Sequence, residues 1–323
     1  MTTDAAPERL LFWAMAYKLS ELLMLAERDG ALAALERGVG VEELAGATGW
    51  RPDSAAIVLT LLGRAGLVEH DAGRYRLSPE LTRYRVLLAL EQRLHDWHRS
   101  RDSLRRALVS DETNDPLDDL DDPAFVAAFA QAMAATARET ALRVRKIIGS
   151  AGAARVVDLG GGDGSVAAEL AGLLPAARFR VVDRPALHPA FQARADGANH
   201  RIEFIAGDLR DAVVVAGAVR SADLILLLNV AHLLADHALD RLLHAARGAA
   251  KPGATLVVRD MFRQDDGPLA LTDLMLVDWL RCGARFCDDI ADFTARLKRA
   301  GFSDVAVRAM PGSVDKFVTA TVG

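Results

Sequence analysis

A glycine-rich segment after a short apolar run constrains the fold of this chain more than any other feature. Residues 158–164 read Asp-Leu-Gly-Gly-Gly-Asp-Gly; they follow the apolar run RVV and precede the helical pattern SVAAELAGLL. Glycines allow a tight turn and let a ligand approach the main chain. A dinucleotide-binding fingerprint would place its third glycine one position later, where Ser165 stands. The segment therefore predicts a strand, a ligand-binding loop and a helix, in that order.

Acidic residues stand at the ends of this predicted strand and of the next two. Asp158 lies at the end of the first run, Asp183 ends FRVVD and Asp208 follows IEFIAG. Open α/β sheets bind ligands at the carboxyl ends of their strands. A carboxylate at Asp183 can accept both hydrogens of a ribose diol, and Asp208 can lie beside an adenine; either can instead cap a helix or end a turn. Together with the spacing acid-x-Gly-x-Gly-x-Gly, this arrangement suits S-adenosylmethionine.

Strand and helix patterns alternate through the C-terminal part of the chain. The predicted strands after Gly152 are RVVDLG, FRVVDR, IEFIAGD, ADLILLLNV and ATLVVRDMF. This alternation predicts a doubly wound, Rossmann-like α/β domain with helices on both faces of a parallel sheet. A long helical pattern over 123–148 precedes it, with Asp121 or Asp122 as its cap and Pro123 in its first turn.

The N-terminal third has a different pattern. Residues 8–28 are apolar at helical spacing, Gly30 is a stop, and three short helical patterns follow: ALAALER, VEELAGATG and PDSAAIVLTLLGRAG. Two short alternating runs around 71–73 then predict a hairpin. Helices and a hairpin in this order indicate a winged helix. A chain of 323 residues is long enough for two domains, which we place at 1–105 and 106–323.

Composition narrows the class of protein. The net charge is −5 and the pI about 5.9, whereas proteins that bind nucleic acid are usually basic. The two cysteines, Cys282 and Cys287, suit a reducing cytosol, and no other Cys or His stands at zinc-ligand spacing. We see no signal-peptide pattern, and no apolar stretch reaches the roughly 20 residues of a membrane helix. We therefore expect a soluble cytoplasmic protein without a metal site and without a nucleic-acid or membrane partner.

Successive motifs of the chain resemble those of the small-molecule O-methyltransferase family. They are VVDLGGGDGSVA, VVDRPAL, AGDLRD, NVAHLL, AAKPGATLVVRDMF and RAGFSDV, and the N-terminal segment LAGATGWRPDSAAIVLTLLGRAGLVEHDAGRYRLSP is similar to that family as well. The resemblance covers nearly the whole chain. It implies an N-terminal winged-helix dimerisation domain, hence a homodimer, followed by a domain that binds S-adenosylmethionine.

The resemblance also implies roles for individual residues. The residues that it implies for binding the cofactor are Asp158, Gly160 and Gly162 at the amino-acid end, Asp183 at the ribose, Asp208 and Leu209 at the adenine, and Asn229. Met133, in the helical pattern QAMAATA, resembles a family methionine near the sulfonium; its alternative role is that of a core methionine.

His232 is the candidate general base. The family has this histidine in a strand-end Leu-His-Asp-Trp motif, and the matching stretch here is NVAHLL. A neutral imidazole at this point can take a hydroxyl proton during methyl transfer, and a pocket or capping histidine is the alternative. The family's carboxylate partners fall on Leu233 and Arg285, so we expect His232 to lack its usual partner. Asp273 is a candidate to replace the missing carboxylate, but spacing alone does not show whether it lies near His232.

The substrate pocket is expected to include several aromatic side chains. A second Leu-His-Asp-Trp sequence, residues 94–97, lies upstream of the glycine-rich segment in a helical stretch and cannot be the fourth-strand motif. Its Trp97 is expected to line the pocket or to pack between domains. Trp279 and Phe286 flank the segment that covers the pocket in the family and are candidates to meet the substrate, with a core or interface position as the alternative for Trp279; Asp273 resembles a family position.

These features favour an S-adenosylmethionine-dependent methyltransferase that acts on a small natural-product-type acceptor, with O-methyl transfer favoured over N- or C-methylation. The alternative is an enzyme that keeps the cofactor but does not transfer methyl. It would cyclise the cofactor's aminobutyrate chain with release of methylthioadenosine, or use the sulfonium as a fixed charge in a pericyclic step. The missing carboxylate partners of His232 motivate this alternative.

A third hypothesis is a regulator that binds DNA through the winged helix. The acidic pI and the apolar third helix, PDSAAIVLTLLGRAG, weigh against it, because a groove-reading helix presents Arg, Lys, Asn or Gln. Burial against a second subunit explains that helix better. The candidate interface residues are Leu11, Trp13, Leu22, Leu23 and Leu25.

Overall fold

The structure is a computed structural model. It describes residues 12–98, 105, 108–109, 122–149, 153–195, 200–262, 274, 277, 289–308 and 315–323. The chain divides into two compact units, Met1–His95 and Asp96–Gly323. In the described residues no helix combines the length and the apolar character needed to cross a membrane.

The N-terminal unit consists of helices and one hairpin. Its helices are α1 (Tyr17–Arg28), α2 (Ala31–Glu36), α3 (Val41–Thr48), α4 (Pro52–Arg64), α5 (Pro79–Tyr84) and α6 (Val86–His98), the last of which runs past the unit's boundary. The pattern over 8–28 is interrupted, because residues 12–15 are helical, Ala16 forms a turn and α1 follows. Gly30 ends α1 with a left-handed φ of 79°.

The predicted hairpin is present in the N-terminal unit. Strands β1 (Val68–Asp71) and β2 (Arg74–Leu77) pair antiparallel. The turn residues Ala72 and Gly73 have φ values of 47° and 79°, the left-handed backbone that a two-residue hairpin turn requires. The hairpin and the helices share one apolar core, whose fully buried side chains include Leu32, Leu35, Leu44 and Leu59.

The C-terminal unit begins with α7 (Pro123–Ile148) and continues with alternating strands and helices. Asp122 caps α7 by accepting a hydrogen bond from the backbone N–H of Ala124 at 2.8 Å, as the sequence predicted. The strands are β3 (Arg155–Leu159), β4 (Arg178–Asp183), β5 (Ile202–Ala206), β6 (Leu224–Leu228), β7 (Thr255–Met261), β8 (Phe302–Arg308) and β9 (Asp315–Val322). The helices after α7 are α8 (Ser165–Leu173), α9 (His188–Ala195), α10 (Ala212–Val219), α11 (Asp236–Ala249) and α12 (Ile290–Arg299).

In the described part of this unit the strands form one sheet in the order β5-β4-β3-β6-β7-β9-β8. Strands β3 to β7 are parallel, and β9 runs antiparallel to both β7 and β8. After β3 the chain forms β4 and then β5 on one side of β3. It then forms β6 and β7 on the other side of β3. The strand order therefore reverses between β3 and β6, which is where open α/β sheets bind ligands beyond their carboxyl ends.

Side chains of β6 show why the sheet is doubly wound. Ile225 and Leu227 lie in the apolar core that contains side chains of α10, α11 and α12. Leu224 and Leu226 lie in the core on the opposite face, with side chains of α7, α8 and α9. A strand with alternate residues buried on both faces reads as a continuous apolar run. The predicted doubly wound α/β fold is confirmed.

Candidate active site

The glycine-rich loop connects the central strand β3 to α8. Gly160, Gly162 and Gly164 have φ values of 75°, 58° and 76°, a left-handed conformation that glycine adopts without steric cost. At Gly160 a Cβ would lie 2.5 Å from Cγ2 of Val230 and 3.4 Å from Cδ1 of Leu209. The loop thus needs glycine for its backbone conformation and for its close contact with the segments after β5 and β6.

Asp158 lies in β3 beneath this loop, where it is 1% exposed. A Cβ at Gly161 would lie 2.6 Å from Oδ2 of Asp158, so the loop covers the carboxyl group. Burial, and then the negative charge of Asp183, raise the pKa of Asp158 to about 7. Within the described residues neither carboxylate oxygen has a hydrogen-bond partner. Buried polar atoms nearly always have partners, so this pair of acceptors fits a ligand group that donates hydrogen bonds.

Asp183, the last residue of β4, is held against the same loop. Its Oδ2 accepts a hydrogen bond from the backbone N–H of Gly162 at 2.7 Å, and its Oδ1 accepts one from the backbone N–H of Arg184 at 2.7 Å. Burial raises the pKa of this carboxyl, an effect that the two backbone N–H groups oppose. A carboxylate offers about four acceptor positions. Each oxygen therefore keeps capacity for a further donor such as a ribose hydroxyl.

Asp208 and Leu209 follow β5; Asp208 forms an ion pair, whereas Leu209 makes an apolar contact. Asp208 accepts hydrogen bonds from the guanidinium of Arg210, the shortest at 2.6 Å, and from the backbone N–H of Arg210 at 2.8 Å. The hydrogen bond from the Arg210 side chain lowers the pKa of Asp208. Leu209 lies beside Gly160. Leu209 thus lies against the loop, and Asp208, the residue before it, is held by Arg210.

Asn229 follows β6 and shares one property with Asp158. Its backbone is left-handed, with φ 57°, and its backbone N–H donates to the carbonyl of Arg259 at 2.7 Å. Its side-chain Oδ1 is buried and has no hydrogen-bond partner among the described residues. A further unpartnered acceptor therefore lies at the carboxyl end of the strand that pairs with β3.

His232 lies in a short 3-10 helix, Ala231–Leu233, just beyond β6 and is 8% exposed. Its Nδ1 lies 2.8 Å from Oδ1 of Asp260, the penultimate residue of the neighbouring strand β7. The backbone N–H of His232 also donates to Oδ2 of Asp260 at 3.3 Å. Because a carboxylate only accepts hydrogen bonds, Nδ1 carries the proton and the neutral imidazole has its basic lone pair on Nε2.

The expectation that His232 lacks a carboxylate partner is therefore wrong. Leu233 and Arg285 indeed stand at the positions where the resemblance placed acids, but β7 supplies the acid from a third position. The signal was present in the sequence, since Asp260 lies near the end of the apolar run ATLVVRDMF, much as Asp183 lies at the end of FRVVD. The acids expected at the binding edge were those of the first three predicted strands, whereas Asp260 lies in the fifth.

The other predicted site residues are placed less fully. Met133 lies in the middle of α7 and is partly buried. Trp97 lies in α6, so the second Leu-His-Asp-Trp sequence is helical, but its side chain is outside what the structure describes. Asp273, Trp279, Phe286 and the interface candidate Leu11 lie outside the described residues.

The strand order, the glycine-rich loop after the central strand and the strand-end histidine define the class of Rossmann-like methyltransferases. A family model for the O-methyltransferase domain matches residues 118–303. The chain belongs to this O-methyltransferase family, as its motifs predicted. S-adenosylmethionine, the predicted cofactor, is the methyl donor that the family uses.

Individual relatives agree with this assignment. The chain is 32% identical to acetylserotonin O-methyltransferase of Mus musculus over 176 residues, which are 52% of this chain and 44% of that enzyme. It is 31% identical to mitomycin biosynthesis 6-O-methyltransferase of Streptomyces lavendulae over 188 residues, 56% of this chain and 51% of that enzyme. The matched segments thus span about half of these relatives. The structure of human N-acetylserotonin methyltransferase in complex with S-adenosylmethionine superposes with a TM-score of 0.80 at 21% identity, covering 100% of both chains, which shows the shared fold.

Proposed function

We propose that this chain is an S-adenosylmethionine-dependent methyltransferase that transfers methyl to a hydroxyl group of a small natural-product-type molecule. The observation that carries the proposal is the pairing of His232 with Asp260 at the same edge of the sheet as the glycine-rich loop. A base at that edge can act on an acceptor that lies beside a cofactor in the loop.

The residues of the loop region fit the cofactor. When bound, S-adenosylmethionine supplies an electrophilic methyl group on a sulfonium. Asp158, with Gly160 and Gly162, would hold the amino-acid end, and the unpartnered Oδ1 of Asn229 offers a further acceptor there. Asp183 would hold the ribose. The residues proposed for the adenine and for the surroundings of the sulfonium are Asp208, Leu209 and Met133.

His232 would take the proton of the acceptor hydroxyl at Nε2 as the oxygen attacks the methyl group. Asp260 holds the imidazole in the tautomer that this step needs, and it stabilises the imidazolium that forms, as the acid of a catalytic triad does. Burial of the pair strengthens this interaction, because the surrounding dielectric is low. The leaving group would be the cofactor's neutral thioether, which is a good leaving group, so positioning supplies much of the remaining rate.

The alternative without methyl transfer loses its main support, because it was motivated by a histidine without a carboxylate partner. The deciding experiment is mass spectrometry of the protein with S-adenosylmethionine, alone and with a panel of phenolic and hydroxylated acceptors. A methylated product together with adenosylhomocysteine supports the proposal. Methylthioadenosine above the protein-free control, with the cofactor alone, contradicts it. His232→Ala should abolish product, and His244→Ala, at an exposed histidine on α11, serves as its matched control.

We also propose that the chain forms a homodimer through its N-terminal unit. Trp13 is 55% exposed and Leu25 is 41% exposed, and further large apolar side chains are exposed beside them: Phe12, Met15, Tyr17 and Leu19. Leu22 and Leu23 instead pack against the unit's own core. An exposed group of this kind commonly marks a protein interface.

The partners and location proposed follow from the same features. The exposed positions of α4 include Ile57 and Leu61, which suit a subunit contact better than a DNA groove. The net charge of −5 also favours a small-molecule substrate over nucleic acid. We propose that the enzyme acts in the cytoplasm, in agreement with its low cysteine content.

A further inference from the structure

We propose that Asp163 and Arg194 are positioning residues that hold the glycine-rich loop in the shape that receives the cofactor. This inference rests on the proposed function, and it assigns a role to the acid inside the loop, which the cofactor-binding residues discussed above do not include. The pair belongs to a set of contacts through which one connection of the chain, Asp183–Arg194, holds three consecutive loop residues.

Asp163 points into the protein although it lies between two glycines. It is 5% exposed. Its Oδ1 accepts hydrogen bonds from the hydroxyl of Ser165 and from the backbone N–H of Ser165, the latter at 3.0 Å. Its Oδ2 accepts a hydrogen bond from Nε of Arg194 at 2.7 Å. Both oxygens are therefore used inside the protein, which distinguishes this acid from Asp158.

The partner of Asp163 comes from α9, the helix that follows β4. Phe191 and Arg194 are three residues apart in α9, so they lie on one face of the helix. Phe191 contacts the loop as well, since a Cβ at Gly164 would lie 2.9 Å from Cδ2 of Phe191. One face of α9 thus binds Asp163 by charge and Gly164 by packing.

The other end of the same connection binds the remaining loop residue. Asp183 accepts the backbone N–H of Gly162 at 2.7 Å. Gly162, Asp163 and Gly164 are therefore each held by a different residue of Asp183–Arg194. Asp183 is also the residue proposed to hold the ribose. The glycine-rich loop and the ribose site are therefore both supported by the connection Asp183–Arg194. Loosening that support should weaken cofactor binding more than it slows the chemical step at His232.

The test compares Asp163→Asn, Arg194→Gln and the double variant in binding of S-adenosylmethionine by calorimetry and in steady-state kinetics. Each single variant should raise Kd and KM for the cofactor at least about 10-fold, because each leaves a charged partner without its counterpart. The kcat at saturating cofactor should change little. The double variant should bind about as weakly as the single ones, since the two residues act as one unit. Arg194→Lys, which keeps the charge, should restore part of the affinity.

Arg138→Gln is the matched control. It removes an exposed ion pair at 3.8 Å between Arg138 of α7 and Glu169 of α8, and it leaves the loop contacts in place. Backbone amide hydrogen exchange at residues 162–165 provides a second readout. Without bound cofactor these amides should exchange faster in Arg194→Gln than in the wild type. Unchanged cofactor affinity and unchanged exchange in variants that fold would overturn the inference. If the wild-type protein does not bind S-adenosylmethionine, the proposed function fails first.

Discussion

Nδ1 of His232 lies 2.8 Å from Oδ1 of Asp260, although 28 residues separate them in the chain. The two residues meet because β6 and β7 are neighbouring parallel strands whose carboxyl ends lie at one edge of the sheet. The pair converts a histidine that the sequence left without a partner into an oriented base.

Asp260→Asn should lower kcat by about 10²-fold or more, because the amide neither fixes the tautomer nor stabilises the imidazolium. His232→Ala should lower it at least as much, and the double variant should be no worse than His232→Ala alone. Glu203→Gln, on the edge strand β5, is the control. These effects are measured by steady-state kinetics with an acceptor that the wild-type enzyme methylates. A kcat of Asp260→Asn equal to that of the wild type would exclude a role for the pair in proton transfer.

Gly160→Ala should destabilise the protein by about 1–3 kcal/mol and weaken cofactor binding. The added Cβ would lie 2.5 Å from Cγ2 of Val230, and the residue must keep a φ of 75°. Gly172→Ala is the opposite case, because it lies in α8 with open space around it and should stabilise the helix by about 0.5–1 kcal/mol. Denaturant midpoints of the two variants should therefore move in opposite directions.

Asp158→Asn should stabilise the cofactor-free protein at pH 8. The pKa of this carboxyl is about 7 in the folded protein and 3.8 in the absence of the fold. Between these values the folded state keeps a proton that the unfolded state has lost, so stability falls as pH rises, by about 1.4 kcal/mol per pH unit at most. The variant removes this loss. Denaturant midpoints measured at pH 5 and pH 8 should differ less in Asp158→Asn than in the wild type.

Asp223→Asn provides the contrast for this pH dependence. Hydrogen bonds from Lys251 and from the backbone lower the pKa of Asp223, so its contribution to stability is present above its ordinary pKa and is lost as pH falls. Its replacement should therefore destabilise the protein at pH 8. Equal denaturant midpoints for Asp158→Asn and Asp223→Asn at pH 8 would contradict the opposite pKa shifts of these two carboxyl groups.

The ionisation of Asp158 should affect cofactor binding in the opposite direction to its effect on stability, so that affinity rises with pH. An ionised carboxylate attracts the cofactor's ammonium group, so affinity for S-adenosylmethionine should fall as pH decreases below about 7. Calorimetry in buffers of different ionisation enthalpy should reveal proton release on binding at pH 6. Asp158→Asn should bind the cofactor weakly at every pH, and a pH-independent wild-type affinity would count against Asp158 as the ammonium's partner.

Replacing Leu25 with Glu should weaken the proposed homodimer without unfolding the N-terminal unit, because this side chain is 41% exposed. Leu22→Glu should instead destabilise the unit, since Leu22 packs against its core. Sedimentation at micromolar concentration should give a dimer for the wild type and a larger monomer fraction for Leu25→Glu. A wild-type monomer of 34.7 kDa would contradict the proposal.

The sequence by itself determined the features that depend on neighbours along the chain. Glycine's lack of a side chain permits the left-handed backbone at Gly160, Gly162 and Gly164, and the short apolar runs predict strands because their length and β-branched residues favour buried strands. The acids at the ends of β3 and β4 could be placed at the binding edge for the same reason, since parallel strands end on one side.

The tertiary structure alone decided which distant side chains meet. His232 pairs with Asp260, and Asp163 with Arg194 across 31 residues, only because the strand order puts β6 beside β7 and because one face of α9 packs on the loop. Local patterns specify a strand or a helix but not its neighbour in the sheet. Partner choice is set by how whole elements bury their apolar faces, so the pairing of the base with its carboxylate, and of the loop with its support, emerged only from the folded chain.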